Sequence, residues 1–215
     1  LGWVTAGQRV HVAHGLIRGT SGKLSTRKGD SIWLGEVLDE AVKRASTFNP
    51  ESAVAEAVGI GAIKYNDLKR ESQNDIIFDW DDILNLQGNS GPYLQYTYAR
   101  AQAVLRKAEK LGTTWTPGVQ VLGHLVSKSS EYQLERWLAR FSEVVARAAT
   151  EYAPHHLATY LYQLASEFNN FYAHEQIIGQ ADDVATKYRL ALTAAVGQVL
   201  KNGLCLLGIT VPERM

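Results

Sequence analysis

The sequence predicts a mainly α-helical chain that begins with a short α/β segment. From about residue 49 onward, apolar residues recur at helical spacing between recognisable helix starts. By contrast, residues 10–18 are short, apolar and β-branched and are bounded by glycine, which is typical of a strand. Hydrophobic residues make up 46% of the 215 residues and charged residues 20%, so the chain has the apolar side chains that a folded core requires.

The individual elements follow from local signals. A glycine- and hydroxyl-rich loop over residues 19–30 follows the predicted strand, and residues 34–46 then place apolar side chains on one face of a helix. Later helix starts carry capping residues or a proline in the first turn: Asn49-Pro50, Pro92, Ser130 with Gln133, Pro154 and Asp182-Asp183. The helices that start at Pro92, Ser130 and Asp182-Asp183 are predicted to end near Lys110, Glu151 and Leu207, and Gly208 follows the last of them. Seams between residues 45 and 49 and near residues 88–91 divide the chain into 1–45, 46–90 and 91–215.

Composition excludes several classes of function. Lys and Arg number 22, as do Asp and Glu, so bulk basicity does not hold this chain to nucleic acid, although a local patch still could. The single cysteine, Cys205, excludes an internal disulfide and a Cys-rich metal site; its apolar helix predicts a buried side chain, and one thiol fits a reducing compartment. The sequence contains no run of 18 apolar residues, so it predicts no membrane-spanning helix.

The histidines are poorly spaced for a metal site. His155 and His156 are adjacent, so their side chains diverge on a helix, and His11 and His14 are oddly spaced on the predicted strand, which places them on opposite faces. We therefore expect no structural metal.

The loop at residues 19–30 gathers charge between glycines. It is not a phosphate-binding P-loop, because only two residues separate Gly19 from Gly22 and Leu24 stands where Ser or Thr must bind magnesium. What remains are the cations Lys23, Arg27 and Lys28 with two hydroxyls, a set that can close on a polyphosphate. From these residues alone, a solvated surface loop stays open and is the commoner structure for such a segment.

Two aromatic groups lie on the later helices. Tyr93, Tyr96 and Arg100 fall at i, i+3 and i+7 and so share a helix face, which suits base stacking and phosphate binding. Tyr172 and Gln176 share a face if their helix continues that far. The residues alone leave open that both groups are aromatic packing seams.

Several segments together resemble the C-terminal part of arginyl-tRNA synthetases, which are class I enzymes, over nearly all 215 residues. They are Gly59-Ile60-Gly61-Ala62-Ile63-Lys64-Tyr65-Asn66-Asp67-Leu68, Phe78-Asp79-Trp80-Asp81, Gly91-Pro92-Tyr93-Leu94-Gln95-Tyr96, Leu207-Gly208-Ile209 and Pro212-Glu213-Arg214-Met215. The resemblance implies a C-terminal remnant of a Rossmann-like nucleotide-binding fold over 1–45, a stem-contact helical segment over 46–90, and an α-helical anticodon-binding domain over 91–215.

The resemblance also implies roles in the catalytic part. Lys23-Leu24-Ser25-Thr26-Arg27 looks like the class I signature loop, with Leu24 in place of Met and Thr26 in place of the second lysine. It implies catalytic roles for Lys23, Ser25, Arg27 and Lys28, with Lys23 stabilising the ATP triphosphate and Lys28 helping to replace the absent lysine. His11, Val12 and Gly15 match the strand that, with Lys23, binds ATP. ATP with Mg²⁺ is thus implied as a substrate.

For the RNA, the resemblance implies that six residues converge on the anticodon loop of an arginine-specific tRNA: Tyr93, Tyr96, Arg100, Tyr172, Gln176 and Met215. Several relatives carry an aromatic residue where Gln176 stands. The loop over residues 87–91 looks like the family's turn that braces the anticodon stem-loop.

These features predict part of a cytoplasmic arginine–tRNA ligase that uses ATP, arginine and tRNA, with a monomer favoured. Motifs of the family's N-terminal half are absent from these 215 residues, so we expect no charging of tRNA by this chain alone. An alternative is a non-catalytic helical module, derived from the family, that binds RNA or protein. A third assignment, to cysteinyl- or methionyl-type synthetases, is disfavoured by the segment Gly91-Pro92-Tyr93-Leu94-Gln95-Tyr96 and by the Pro-Glu-Arg-Met ending.

Overall fold

A computed structural model describes residues 9–19, 22–23, 33–113, 129–179 and 183–215. Within them the fold is mainly α-helical, which confirms the predicted fold class. The helices are α1 (Leu34–Ala45), α2 (Ser52–Leu68), α3 (Trp80–Ile83), α4 (Gly91–Lys110), α5 (Ser129–Ala139), α6 (Phe141–Thr150), α7 (His155–His174) and α8 (Asp183–Leu206). None of the helices in these ranges is both long and apolar enough to cross a membrane.

A small sheet precedes the helices. Its strands are β1 (Ile17–Gly19), β2 (Gly22–Lys23) and β3 (Ile76–Phe78), in the order β2-β1-β3, with β1 antiparallel to β2 and parallel to β3. The prediction of a strand over the whole of residues 10–18 is wrong, because only its last two residues belong to β1. The backbone N–H of Gly15 donates to the Ser72 carbonyl at 2.8 Å, and that of Leu16 donates to the Asp75 carboxylate at 2.7 Å. These two donors therefore bond to the segment before β3 and not to a neighbouring strand.

Helix α4 begins where the sequence predicts. The Ser90 hydroxyl accepts the Tyr93 N–H at 3.2 Å, and Pro92 lies in the first turn, where no intrahelical donor is needed. The helix then ends at Lys110, as predicted. Its start lies directly on α2, because a Cβ atom on Gly91 would be 2.8 Å from the Gly61 carbonyl oxygen. Glycine at position 91 permits this close approach of α4 to the α2 backbone.

The core of the helical bundle forms around α7. Its buried face carries Leu157, Leu161, Leu164 and Phe168, the stripe that the sequence predicted, and it packs against α4, α5, α6 and α8. A second, smaller cluster lies between α1 and α2 and consists mainly of alanine and valine. The small side chains let these two helices pack closely into a hairpin beside the bundle.

The sequence predicts one helix from Ser130 to about Glu151, and this is wrong because α5 and α6 are separate. The chain breaks at Arg140, whose N–H bonds to the Trp137 carbonyl three residues back, at 3.2 Å. The break lets α6 turn its apolar face onto α7. Phe141, Val144 and Val145 are accordingly packed against the core.

The C-terminal residues leave α8 through a regular cap. Gly208 has a φ of +70°, and the N–H groups of Gly208 and Ile209 bond to the carbonyls of Cys205 and Leu204 at 2.9 Å each. Helix α8 therefore ends beside the glycine predicted to stop it. Cys205 itself is exposed. The prediction of a buried thiol is wrong, because apolar residues surround the α8 axis at this point and periodicity could not decide which face is outward.

Candidate nucleic-acid interface

An arginine lies between two tyrosines on one side of the bundle. The guanidinium carbon of Arg100 on α4 is 4.9 Å from the ring centre of Tyr96 and 5.1 Å from that of Tyr172 on α7. The two tyrosines are 39% and 43% exposed, so each contacts the cation while part of its surface faces solvent. We call Tyr96, Arg100 and Tyr172 the tyrosine–arginine stack. It joins residues 72 positions apart in the chain, which helical spacing by itself leaves in two separate groups.

Asn169 lies directly behind the stack. Its Oδ1 accepts a hydrogen bond of 2.5 Å from Arg100 Nη1, and its Nδ2 donates to the Tyr93 hydroxyl at 3.0 Å and to the Thr97 hydroxyl at 2.9 Å. Thr97 is fully buried and donates its own proton to the Tyr93 carbonyl at 2.8 Å. Tyr93 is half-buried, and its ring packs against that of Tyr162 at 5.6 Å. Tyr93 therefore supports the stack from the inside.

A buried ion-pair network fixes the chain just after Tyr172. Arg189 of α8, with its side chain 3% exposed, bonds to Glu131 of α5 at 2.7 Å and to Glu175 at 3.0 Å. Its Nη1 also donates to the Gln176 carbonyl at 2.7 Å. Three segments of the bundle thus meet at one guanidinium, which anchors the C-terminal end of α7.

The structure does not bring Gln176 and Met215 into the stack. Helix α7 ends at His174, so Gln176 lies beyond it, and its side-chain amide donates to the carbonyls of Ile178 and Gly179. Met215 packs against the cluster between α1 and α2. Of the six residues that the sequence assigned to RNA, only Tyr93, Tyr96, Arg100 and Tyr172 are gathered in one place.

The loop before α4 is tied to α2. Tyr65 donates its hydroxyl proton to Asn89 Oδ1 at 2.7 Å, and Lys69 Nζ donates to the Asn89 carbonyl at 2.7 Å. The Ser90 hydroxyl donates to the Asn85 carbonyl, which closes the loop on itself. Burial lowers the pKa of Lys69 to about 8. The loop is thus a fixed projection at the start of α4.

The residues assigned to ATP are only partly described. His11, Val12 and Gly15 lie in the segment before β1, and the hairpin register places the backbone of Lys23 opposite Arg18. Ser25, Arg27 and Lys28 lie outside the described residues. A Cβ atom on Gly15 would be 2.3 Å from the Asn74 carbonyl oxygen, so the close approach of these two segments requires glycine.

Asp75 anchors the same region. It accepts the Leu16 N–H and lies 2.6 Å from the Arg18 guanidinium. These two donors hold the pKa of the Asp75 carboxyl below its ordinary value. Val12 and Gly15 line a cleft of 390 Å³ between this segment, the end of α2 and the corner between α6 and α7. Across the described ranges, no group of three or more His, Cys, Asp or Glu side chains could hold a metal ion.

Sequence reasoning missed Asn169 and Thr97. Asparagine is a poor helix former, and Asn169 lies three residues before Tyr172 in the middle of α7. That position was an available signal for a polar role. Its partners could not be inferred, because they come from another helix more than 60 residues earlier.

Family models match both parts of the chain. The DALR anticodon binding domain matches residues 94–215, which is more than half of the chain and contains the tyrosine–arginine stack. The catalytic domain of class I tRNA synthetases (R) matches residues 2–80. The chain therefore belongs to the family of DALR anticodon-binding domains, joined here to the end of a class I synthetase catalytic domain.

The relatives to which the chain is similar include arginyl-tRNA synthetases, the family that the sequence resembles. The arginine–tRNA ligase of Chloroflexus aurantiacus is 39% identical over 100% of this chain and 39% of its own length; that of Thermococcus kodakarensis is 41% identical over 95% and 34%. Arginyl-tRNA synthetase of Thermus thermophilus has the same fold, with a TM-score of 0.82 and 33% identity over 95% of this chain and 35% of that structure. The chain thus spans little more than a third of the length of these relatives.

Proposed function

We propose that this chain supplies anticodon recognition and the ATP-phosphate loop of an arginine–tRNA ligase. The parent reaction joins arginine to its tRNA with conversion of ATP to AMP and pyrophosphate. The match of both family models and the ligase relatives support this proposal. The observation that carries the RNA-binding part is the tyrosine–arginine stack, a half-buried planar cation between two exposed rings within the anticodon-binding domain.

The stack suits unpaired RNA. Each tyrosine ring contacts Arg100 and is more than a third exposed, so part of each ring is open for stacking on a base. Base–aromatic stacking contributes about 1–3 kcal/mol per base, and it requires bases that are splayed out, as in a loop. The Arg100 guanidinium adds positive charge close to the backbone phosphates. We therefore propose Tyr96, Arg100 and Tyr172 as direct RNA contacts, with Tyr93 behind them.

Gln176 and Met215 stay predictions as RNA contacts. Their present contacts, with the turn at residues 178–179 and with the α1–α2 cluster, do not exclude a shared RNA loop that reaches past the stack. The loop over residues 87–91 is proposed to brace the anticodon stem, since Tyr65 and Lys69 hold it in place.

For the catalytic part, we propose that Lys23, Ser25, Arg27 and Lys28 contact the ATP phosphates, with His11, Val12 and Gly15 at the adenine. The Gly15–Ser72 hydrogen bond and the contacts of Asp75 support this by fixing the start of the hairpin that carries Lys23. Mg²⁺ enters with ATP as part of the substrate. The proposed division of the chain is 1–45, 46–90 and 91–215, and the proposed location is the cytoplasm.

The test is fluorescence anisotropy of the 215-residue chain with an arginine-specific tRNA anticodon stem-loop. The matched control is the same stem-loop with its middle anticodon base changed. The proposal expects binding to weaken at least tenfold with the changed base, which is about 1.4 kcal/mol. Equal binding of the two would leave only electrostatic contact and would favour a non-catalytic RNA- or protein-binding module.

A further inference from the structure

Arg100 needs a third partner to remain between two rings. Contacts between a cation and an exposed ring are weak, about 0.5–1 kcal/mol each, and an arginine side chain loses considerable rotamer entropy when it is fixed. Both tyrosines are more than a third exposed, so they do not enclose the guanidinium. The hydrogen bond from Arg100 Nη1 to Asn169 is the contact that fixes the guanidinium in direction as well as position.

The Asn169 amide is itself fixed on both sides. Its oxygen faces a guanidinium, which can only donate, and its nitrogen faces two hydroxyl oxygens. Because the Thr97 hydroxyl donates its proton to the Tyr93 carbonyl, it can only accept a hydrogen bond from Asn169. A reversed amide would place donor against donor at Arg100, so one orientation is selected.

We infer that Asn169 is the positioning residue of the RNA site: it sets the Arg100 guanidinium between Tyr96 and Tyr172 before any RNA is bound. Asparagine suits this role because one side chain offers an acceptor for the arginine and two donors for the Tyr93 and Thr97 hydroxyls. Aspartate would keep the acceptor and lose the donors, and alanine would lose both. A preformed stack lowers the ordering cost of binding. This inference rests on the proposed function of the stack, but its first test does not require RNA.

The first test is made on the free chain by ¹H–¹⁵N NMR of arginine side chains, with the Arg100 signal assigned by its loss in Arg100→Lys. Between two ring faces, the Arg100 Nε–H proton should be shifted upfield by the ring currents. Asn169→Ala should move it toward the position of an exposed arginine, whereas Asn169→Asp, which keeps the acceptor, should hold it. An unchanged signal in Asn169→Ala would overturn the inference.

The second test measures stem-loop binding. Asn169→Ala should weaken binding at least tenfold, whereas Asn170→Ala, at the exposed neighbouring position on the same helix, should change it less than twofold. If Asn169 acts through Arg100, the double variant Asn169→Ala/Arg100→Ala should bind no more weakly than Arg100→Ala alone. Fully additive losses would show an independent structural role and overturn the inference.

The two tests separate this inference from the proposed function. If the unmodified chain binds neither stem-loop, the proposed function fails, while the NMR comparison still decides the role of Asn169. If the chain binds and discriminates the stem-loops but Asn169→Ala binds like the unmodified chain, the function stands and the positioning role is overturned. Far-UV circular dichroism establishes that each variant is folded, and Asn169→Asp provides the comparison should the alanine variant unfold.

Discussion

Replacing Arg189 by leucine tests whether the buried ion pairs behind Tyr172 hold the bundle together. In the native chain this guanidinium contacts Glu131 at 2.7 Å, Glu175 at 3.0 Å and the Gln176 carbonyl at 2.7 Å. Leucine has a similar apolar volume but none of these donors. Two carboxylates would lose this partner in a site where the Glu131 side chain is 0% exposed.

The expected loss follows from this burial. Removing one partner of a buried ion pair costs about 3–5 kcal/mol, because that partner no longer offsets the cost of holding the other charge away from water. Domains are stable by about 5–15 kcal/mol, so a large share of the stability is removed. With a urea dependence of about 2–3 kcal/mol per M, the unfolding midpoint should fall by about 1–2 M.

The assay is urea unfolding followed by circular dichroism at 222 nm, with Arg44→Leu as the matched control. Arg44 also bonds to a glutamate at 2.7 Å, but its side chain is 44% exposed, and such surface pairs contribute about 0.2–0.5 kcal/mol. Arg44→Leu should therefore lower the midpoint only slightly. Equal shifts for the two variants would refute the argument that burial makes the Arg189 pairs essential.

Four further outcomes are expected. Gly91→Ala should destabilise the chain by about 1–3 kcal/mol, since its Cβ would press on the Gly61 carbonyl, whereas Gly35→Ala, with open space around it, should stabilise by about 0.5–1 kcal/mol in the same urea assay. Burial lowers the pKa of Lys69 to about 8 from an ordinary 10.5, so between these pH values the unfolded chain binds more protons than the folded chain. The free energy of unfolding should therefore rise with pH across that window, and Lys69→Met should flatten the rise. Cys205 should react fully with a thiol reagent before any denaturant is added, and protection would contradict its exposure. Stem-loop affinity should fall with salt at a log–log slope of about −2 to −4, as expected if only a few phosphates are contacted, and a slope near −9 would contradict an interface of that size.

Sequence reasoning worked best where one local rule decides the structure. Ser90 and Pro92 mark the start of α4, and Gly208 marks the end of α8, because capping and left-handed backbone depend on adjacent residues. The helical spacing after Pro154 correctly predicted which side chains of α7 are buried. These features do not require knowledge of the neighbouring elements.

The errors and omissions arise where distant contacts decide the structure. Gly15 and Leu16 leave the predicted strand because Ser72 and Asp75, more than 55 residues later, accept their N–H groups. The orientation of Cys205 depends on where α8 meets the rest of the bundle. Asn169 gains its partners only when α4 and α7 lie side by side. Periodicity within one segment carries none of this information.

The contact between Gly61 and Gly91 fixes the start of α4 directly on the backbone of α2. No side chain separates the two backbones there. The Gln95 side-chain amide stabilises the contact by donating to the Ala57 and Thr210 carbonyls. Arg100 lies nine residues beyond Gly91, about 13 Å along the axis. Because α2 leads on to Ser72 and Asp75, which accept the N–H groups of Gly15 and Leu16, this one backbone contact joins the helix that carries Arg100 to the segment before β1.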